Sequence, residues 1–322
     1  MRQFAKPTIV VSKCLEFDAC RYNGEMIPDV TIRNLQPFVT FIPVCPEVEI
    51  GLGTPRETIR IVEENGENRL VQPSTREDVT ENMEQFSNDF LQTISDVDGF
   101  ILKNRSPSCG TRDVKIYSGF EKAPAKGKGS GLFGGAVVKK FSHLPIEEEG
   151  RLSNFIIREH FFTRLFTIAY YKMIKHNKNM KDLVSFQSDN KYLFMAYNQV
   201  KQKELGRIIA NHKNEKIEVV FENYEKTLYE LFMRTPRYTS NVNVCEHIFG
   251  YFKTKLKKQE KDHFIELLQK YAEKKIPLSS LLTILKSWAI RFDEKYLLRQ
   301  TYFEPYPEAL VEISDSGKGR DY

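Results

Sequence analysis

The sequence predicts a two-part protein, with an α/β first half built on a Rossmann-like sheet and an all-α second half. Three observations predict it. Up to about residue 143, short β-branched runs alternate with Gly- and Pro-rich turns. After Glu147-Glu148-Glu149-Gly150 glycines become rare and apolar residues recur at helical spacing. Charge changes at the same place: residues 1–150 carry 18 Lys and Arg against 22 Asp and Glu, and the remainder 30 against 21. The domains are therefore placed at 1–147 and 148–322, with the acidic, glycine-ended segment as the hinge.

In the first domain Thr8–Ser12 is a short apolar strand that delivers Cys14, and Arg21-Tyr22-Asn23-Gly24 reads as a turn. A second strand, Phe38–Val44, delivers Cys45-Pro46-Glu47. Residues 49–56 form a loop, and Ile59–Val62 and Arg69–Val71 pair as an edge hairpin around Asn65-Gly66. Met83, Phe86, Phe90, Leu91 and Ile94 make a helix face, with Thr80 as its N-cap. The run Gly99–Leu102 is a buried strand leading into Lys103-Asn104-Arg105-Ser106-Pro107-Ser108-Cys109-Gly110. The glycine-rich stretch 126–131 matches neither phosphate-loop pattern and is expected to be a flexible connector into a helix ending at Lys140. A last strand lies near 144–146.

The second domain shows four broad apolar helix faces, around Phe161/Leu165, Tyr224/Leu228, Phe264/Leu268 and Leu285/Trp288, and is expected to be a bundle. Cys245, His212 and His247 fall within its helical pattern and read as ordinary helix residues.

Composition bounds the function. The 322 residues, 41% hydrophobic and 28% charged, suffice for two cores. No run of eighteen apolar residues exists, and the opening residues lack an apolar signal region, so a soluble cytoplasmic protein with no membrane partner is expected. Five cysteines without an export signal argue for metal-binding or catalytic thiols over a disulfide framework. A basic helical domain suits a polyanion such as nucleic acid, or is simply a solvated Lys-rich surface. Arg158, Arg164, Lys172, Lys175, His176, Lys178, Lys253, Lys255, Lys257 and Lys258 are the cations available for phosphates.

Three separate strands each end at a cysteine: Cys14, Cys45 and Cys109. In an open α/β sheet the C-terminal strand edges meet at one crevice, so a three-thiolate centre with one open position is a structural expectation. Zinc with a water and a four-iron cluster with one open iron both satisfy that pattern; three buried structural cysteines are the plain alternative. Cys20, separated from Cys14 by five residues, would close the centre as a fourth ligand and ranks below the others.

Taken together, Ser12-Lys13-Cys14-Leu15, Cys20-Arg21-Tyr22-Asn23-Gly24, Cys45-Pro46-Glu47, Gly53-Thr54-Pro55-Arg56, Asp78-Val79-Thr80, Ile101-Leu102-Lys103, Ser106–Gly110 and Ile116-Tyr117 resemble the thiouracil desulfidase family across about residues 7 to 145. The resemblance implies a 4Fe-4S cluster held by Cys14, Cys45 and Cys109, with one iron not bound by protein and with Glu47, Ser106 and Ser108 as the acting side chains. The second half resembles the YbgA-like domain through Lys191–Tyr197, Glu204–Arg207, Asn243–Phe252 and Tyr302–Pro307. The fusion is similar to the tRNA 4-thiouridine desulfidases, in which the helical domain is taken to bind RNA.

The expected reaction is hydrolysis of a thiocarbonyl. Glu47 deprotonates a water that attacks carbon, Ser106 and Ser108 position water or ring, and hydrogen sulfide leaves. Arg21, Arg56, Lys103 and Arg105 are either salt-bridged scaffold or contacts to the substrate's phosphates. Free 2-thiouracil or another small thiolated base is the alternative substrate. A noncatalytic RNA-binding or redox-sensing iron–sulfur protein is the alternative of another class.

Overall fold

A computed structural model of the chain describes residues 2–94, 96–120, 124–211 and 214–312; His212 lies outside them. The chain divides into two compact units, one running to Ala169 and resuming at Tyr306, the other Tyr170–Pro305. In chain order the first contains β1 (Thr8–Ser12), α1 (Val30–Leu35), β2 (Thr40–Val44), α2 (Pro46–Glu49), β3 (Arg60–Glu64), β4 (Glu67–Gln72), β5 (Glu77–Asp78) and α3 (Thr80–Thr93). There follow β6 (Gly99–Leu102), β7 (Val114–Tyr117), β8 (Ala125–Gly129), α4 (Leu132–Phe141), β9 (Ile146–Glu148), α5 (Glu149–Leu152) and the start of α6 (Phe155–Asn177).

Four strands form a parallel sheet in the order β2-β1-β6-β9. Val10 pairs with Ile42 on one side and Phe100 on the other, and Ile101 pairs with Glu147. The inner strands are covered on both faces, which is why they read as unbroken apolar runs. Ile9, Val11 and Ile101 pack with Ile32 and Leu35 of α1 and with Phe161, Phe162, Leu165 and Phe166 of α6. On the opposite face Phe100 meets Phe141 of α4, ring centroids 5.0 Å apart. The chain leaves β1 toward β2 and leaves β6 toward β9, so the strand order reverses between β1 and β6. Such a reversal opens a crevice at the C-terminal strand ends.

Of a second, mixed sheet of order β5-β4-β3-β7-β8, the sequence predicts only the β3-β4 hairpin. The hairpin forms but not at an edge, since β3 also pairs with β7 and β4 with β5: β3 and β4 are antiparallel, and Asn65 and Gly66 both take positive φ, 53° and 86°, as a tight hairpin turn of primed type requires. The flexible connector expected at 126–131 is instead largely edge strand β8, pairing Lys128 with Lys115 and Gly127 with Ile116. Lys126 and Lys128 pair with Glu63 and Asp113, and such lysines keep an exposed edge from recruiting another strand. Thr80 is not the cap of α3 but its first residue; its buried Oγ1 accepts from Leu70 N at 2.8 Å, while Asp78 accepts from Thr80 N at 2.9 Å.

Two expectations about the division of the chain change. The acidic stretch 147–149 is no hinge: it ends β9 and enters α5, with Glu148 and Glu149 buried. The apolar face of Phe161, Phe162, Leu165 and Phe166, assigned from sequence to the bundle, belongs to the core of the first unit, together with Tyr306 and Leu310.

The second unit is helical: the end of α6, then α7 (Met180–Asp189), α8 (Lys191–Tyr197), α9 (Gln199–Ala210), α10 (Ile217–Leu231), α11 (Tyr238–Gly250), α12 (Lys258–Ala272), α13 (Leu278–Arg291) and α14 (Lys295–Leu298). The three remaining predicted faces meet in one core, with Tyr224, Leu228, Phe264, Leu268, Leu285 and Trp288 all buried. Asn198 caps α9, accepting from the N–H groups of Val200 and Lys201 at 3.1 Å each. Cys245 is buried beside Tyr302, whose hydroxyl donates to Asn241 Oδ1 at 2.9 Å. No helix among the described residues is long and apolar enough to cross a membrane.

Candidate active site

Three adjacent parallel strands each release a cysteine at the same edge of the sheet. Cys14 lies two residues beyond β1, Cys45 directly follows β2, and Cys109 sits in the loop leaving β6. Ser12 Oγ accepts from Lys103 N at 2.9 Å, tying the ends of β1 and β6, and also hydrogen-bonds the Cys109 side chain. Cys45 occupies the N-cap of α2 and Pro46 its first position, so the short helix presents Glu47 in its opening turn.

Glu47 is held from both sides. Arg56 donates from Nε and Nη2 to Glu47 Oε2 at 2.9 and 2.5 Å, and from Nη1 to the carbonyls of Cys20 and Gly53 at 3.0 and 2.8 Å. Its side chain is 4% exposed, that of Glu47 13%. On the other oxygen, Ser108 Oγ donates to Glu47 Oε1 at 2.5 Å, Ser106 Oγ lies 3.5 Å from it, and the two hydroxyls are 2.9 Å apart. Ser106 Oγ further accepts from Cys109 N at 3.1 Å. A carboxylate, two hydroxyls and a thiol loop thus form one hydrogen-bonded chain.

Helix α4 sets the height of that loop. Its N-terminal amides donate into the loop's carbonyls: Leu132 N to Pro107 O at 3.1 Å and Gly134 N to Ser108 O at 2.9 Å. A Cβ on Gly131 would lie 2.5 Å from Ser108 O, and one on Gly134 2.4 Å from Cys109 O. Only glycine permits this approach.

Cys14, Cys20 and Cys109 sit in surroundings that disfavour their charged form. Burial, with Cys45 nearby, pushes Cys14 up to about 12, and the Lys103 ammonium acts against this. Burial likewise raises Cys109, and raises Cys20 to about 12. Cys14, Cys45 and Cys109 lie close enough to repel one another once ionised, although among the described residues no three His, Cys, Asp or Glu side chains close on a single ion. Soft thiol donors at the ends of three strands, two of them buried and one half-buried near a lysine, suit an iron–sulfur group that takes the thiolates' charge.

Of the cations expected at substrate phosphates, Arg56 is instead the clamp of Glu47, and Lys103 bonds Glu149 and Asn104. Arg105 is exposed, and Arg21 lies 3.7 Å from Glu25 with its guanidinium over the Tyr22 ring. Among the cations expected to meet RNA, Arg158 is buried and donates to the carbonyls of Leu152 and Glu312 at 2.8 and 2.6 Å, so it is unavailable. Lys175 and Lys178 pair with Glu225 and Glu218, Lys255 with Glu294. Cys20 stands at the site, its carbonyl accepting from Cys45 Sγ at 3.8 Å. Sequence reasoning missed Ser12, Gly134, Glu148 and Glu149. The signal for the glutamates was available, since acidic residues at the C-terminal end of a strand in this sheet fall at its ligand-binding edge.

Residues 9–149 match the family model of the 2-thiouracil desulfurases. YbbK of Bacillus subtilis, an uncharacterized protein, is 36% identical over 118 residues, which cover 34% of this chain and 77% of that protein. The chain belongs to the 2-thiouracil desulfurase family. The desulfurase-family match takes in all three strand-end cysteines, Glu47 and both serines. Beyond it, residues 191–307 match a domain family of unknown function, DUF1722. YbgA of Escherichia coli, also uncharacterized, is 23% identical over 156 residues, 48% of this chain and 92% of that one. A solved structure, the 4Fe-4S-dependent thiouracil desulfidase TudS, aligns with 46% of the chain and 93% of its own at 25% identity and a TM-score of 0.37.

Proposed function

We propose that this desulfurase-family protein hydrolyses the thiocarbonyl of 4-thiouridine in tRNA, replacing sulfur by oxygen and releasing hydrogen sulfide. The observation that carries the reading is the Glu47–Ser108–Ser106 chain lying at the edge where Cys14, Cys45 and Cys109 are gathered. Those three cysteines would hold a 4Fe-4S cluster with one iron not bound by protein. When bound, the cluster supplies a soft Lewis acid for a thiocarbonyl sulfur and an acceptor for the departing sulfide.

The chain's own residues supply proton handling. Arg56 fixes Glu47 Oε2, leaving Oε1 to take a proton from the attacking water. Water's oxygen joins the carbon, the C=S bond breaks, and both of the water's protons end on sulfur. Ser108 and Ser106 pass protons along their 2.9 Å contact between Glu47 and the substrate. The excess of Lys and Arg in the second half of the chain supports tRNA as the carrier of the thiolated base, held through phosphates in the manner of non-specific binding. A cytoplasmic location follows from that substrate.

A second reading keeps the chemistry but takes free 2-thiouracil, the base named in the family's description. Anaerobic reconstitution, an iron and acid-labile sulfide assay, and sulfide release from 4-thiouridine-containing tRNA test the proposal. Sulfide from the free base alone would move the reading to that substrate; sulfide from neither would leave a noncatalytic iron–sulfur protein.

A further inference from the structure

Two carboxylates at the end of β9 take no part in the chemistry above, yet their hydrogen bonds bracket the loop that carries it. Glu148 Oε1 accepts from Thr111 N at 2.7 Å, Thr111 Oγ1 at 3.0 Å and Arg112 N at 3.2 Å. Glu149 Oε2 accepts from Asn104 N at 2.7 Å, and its Oε1 meets the Lys103 ammonium. One glutamate therefore holds the start of the loop and the other its end, and between them lie Ser106, Ser108 and Cys109.

Strand register brings this about. Leu102, the last residue of β6, pairs with Glu148 of β9, so the chain leaving β6 runs past both carboxylates. They are 3% and 9% exposed. Burying neighbouring carboxylates is unfavourable unless donors meet them, and here the donors are chiefly the loop's own backbone amides. Helix α4 supports the middle of the loop through Pro107 and Ser108, and the glutamates fix its ends.

We infer that Glu148 and Glu149 are positioning residues of the desulfidase site, holding the loop of residues 103–112 so that both serine hydroxyls stay against Glu47. The inference rests on the function proposed above for its catalytic consequence, but its structural part stands alone. Without Glu148 the loop's end is free to drift, and a hydroxyl displaced by about 1 Å loses on the order of a hundredfold in rate.

Two variants of the full chain, Glu148→Ala and Glu148→Gln, test it after anaerobic reconstitution. Gln keeps a carbonyl acceptor for Thr111 N and Arg112 N; Ala keeps none. Hydrogen–deuterium exchange across residues 103–112 is expected to quicken about tenfold in Glu148→Ala and to stay near the unsubstituted rate in Glu148→Gln. Iron content is expected to be unchanged, kcat to fall roughly ten- to a hundredfold in Glu148→Ala with KM within about threefold, and Gln to recover most of the loss. Unaltered exchange in Glu148→Ala overturns the inference, as does a loss of iron and activity in parallel in both variants. Should the unsubstituted protein release no sulfide, the functional reading fails on its own, and the exchange measurement still judges the positioning.

Discussion

Single side chains decide whether this site can do chemistry. Glu47 is held by Arg56 through two contacts on one oxygen and touched by Ser108 on the other. Glu47→Ala is expected to retain iron and sulfide content while lowering kcat by roughly 10²–10⁴-fold, as loss of a general base does; single-turnover sulfide release measures this. Arg56→Lys loses the fork that fits a carboxylate, and kcat should fall about tenfold with iron content unchanged. The thiols predict a pH dependence of assembly. Burial raises Cys14 to about 12 and raises Cys109, so both are protonated at neutral pH in the apo protein. Iron binding must displace those protons, and iron incorporated at equilibrium is expected to rise from pH 7 to pH 9. His160 offers a stability test: burial lowers it to about 3, so the folded chain keeps it neutral while the unfolded chain protonates it below about 6.5. Its contribution is present above that value and is lost as pH falls toward 3, at no more than about 1.4 kcal/mol per pH unit. Denaturant titrations of His160→Gln should show a shallower loss over the same range.

Secondary-structure elements place these side chains, and their legibility was uneven. The strands at 8–12 and 99–102 were readable because burial on both faces leaves an unbroken apolar run. The hairpin was readable because Asn65-Gly66 suits a turn needing two positive φ values. Strand β8 was not, because Ala-Lys-Gly-Lys-Gly carries no apolar alternation and is placed by backbone pairing to β7 and by the ion pairs of its two lysines. Gly131 and Gly134, at and near the start of α4, are the condition for its contact with the cysteine loop. Gly134→Ala would force a Cβ to within 2.4 Å of Cys109 O. It is expected to destabilise the fold by roughly 1–3 kcal/mol, as overpacking does, and to lower iron incorporation; thermal unfolding by circular dichroism and an iron assay check both.

Across the chain, the position of the division matters for any attempt to isolate the first unit. The boundary read from charge and glycine content falls at 147/148, but Leu152, Phe161, Phe162, Leu165 and Phe166 pack into the same core as Ile9 and Ile101. A fragment ending at residue 147 lacks all five, and removing even one large core side chain costs about 2–5 kcal/mol. Such a fragment is expected to lose cooperative unfolding, seen as a missing thermal transition.

Local pattern was enough to specify the two fold classes and the strands that lead to Cys14, Cys45 and Cys109, since hydrophobic period and chain order are properties of neighbouring residues. Which groups meet at the sheet edge was decided by folding. The Cys20 carbonyl beside Cys45, the clamp of Arg56 on Glu47, and the two glutamates bracketing the serine loop all depend on register between segments far apart in sequence. A buried carboxylate and a hinge carboxylate are spelled alike, and only the donors that folding brings to Glu148 and Glu149 tell them apart.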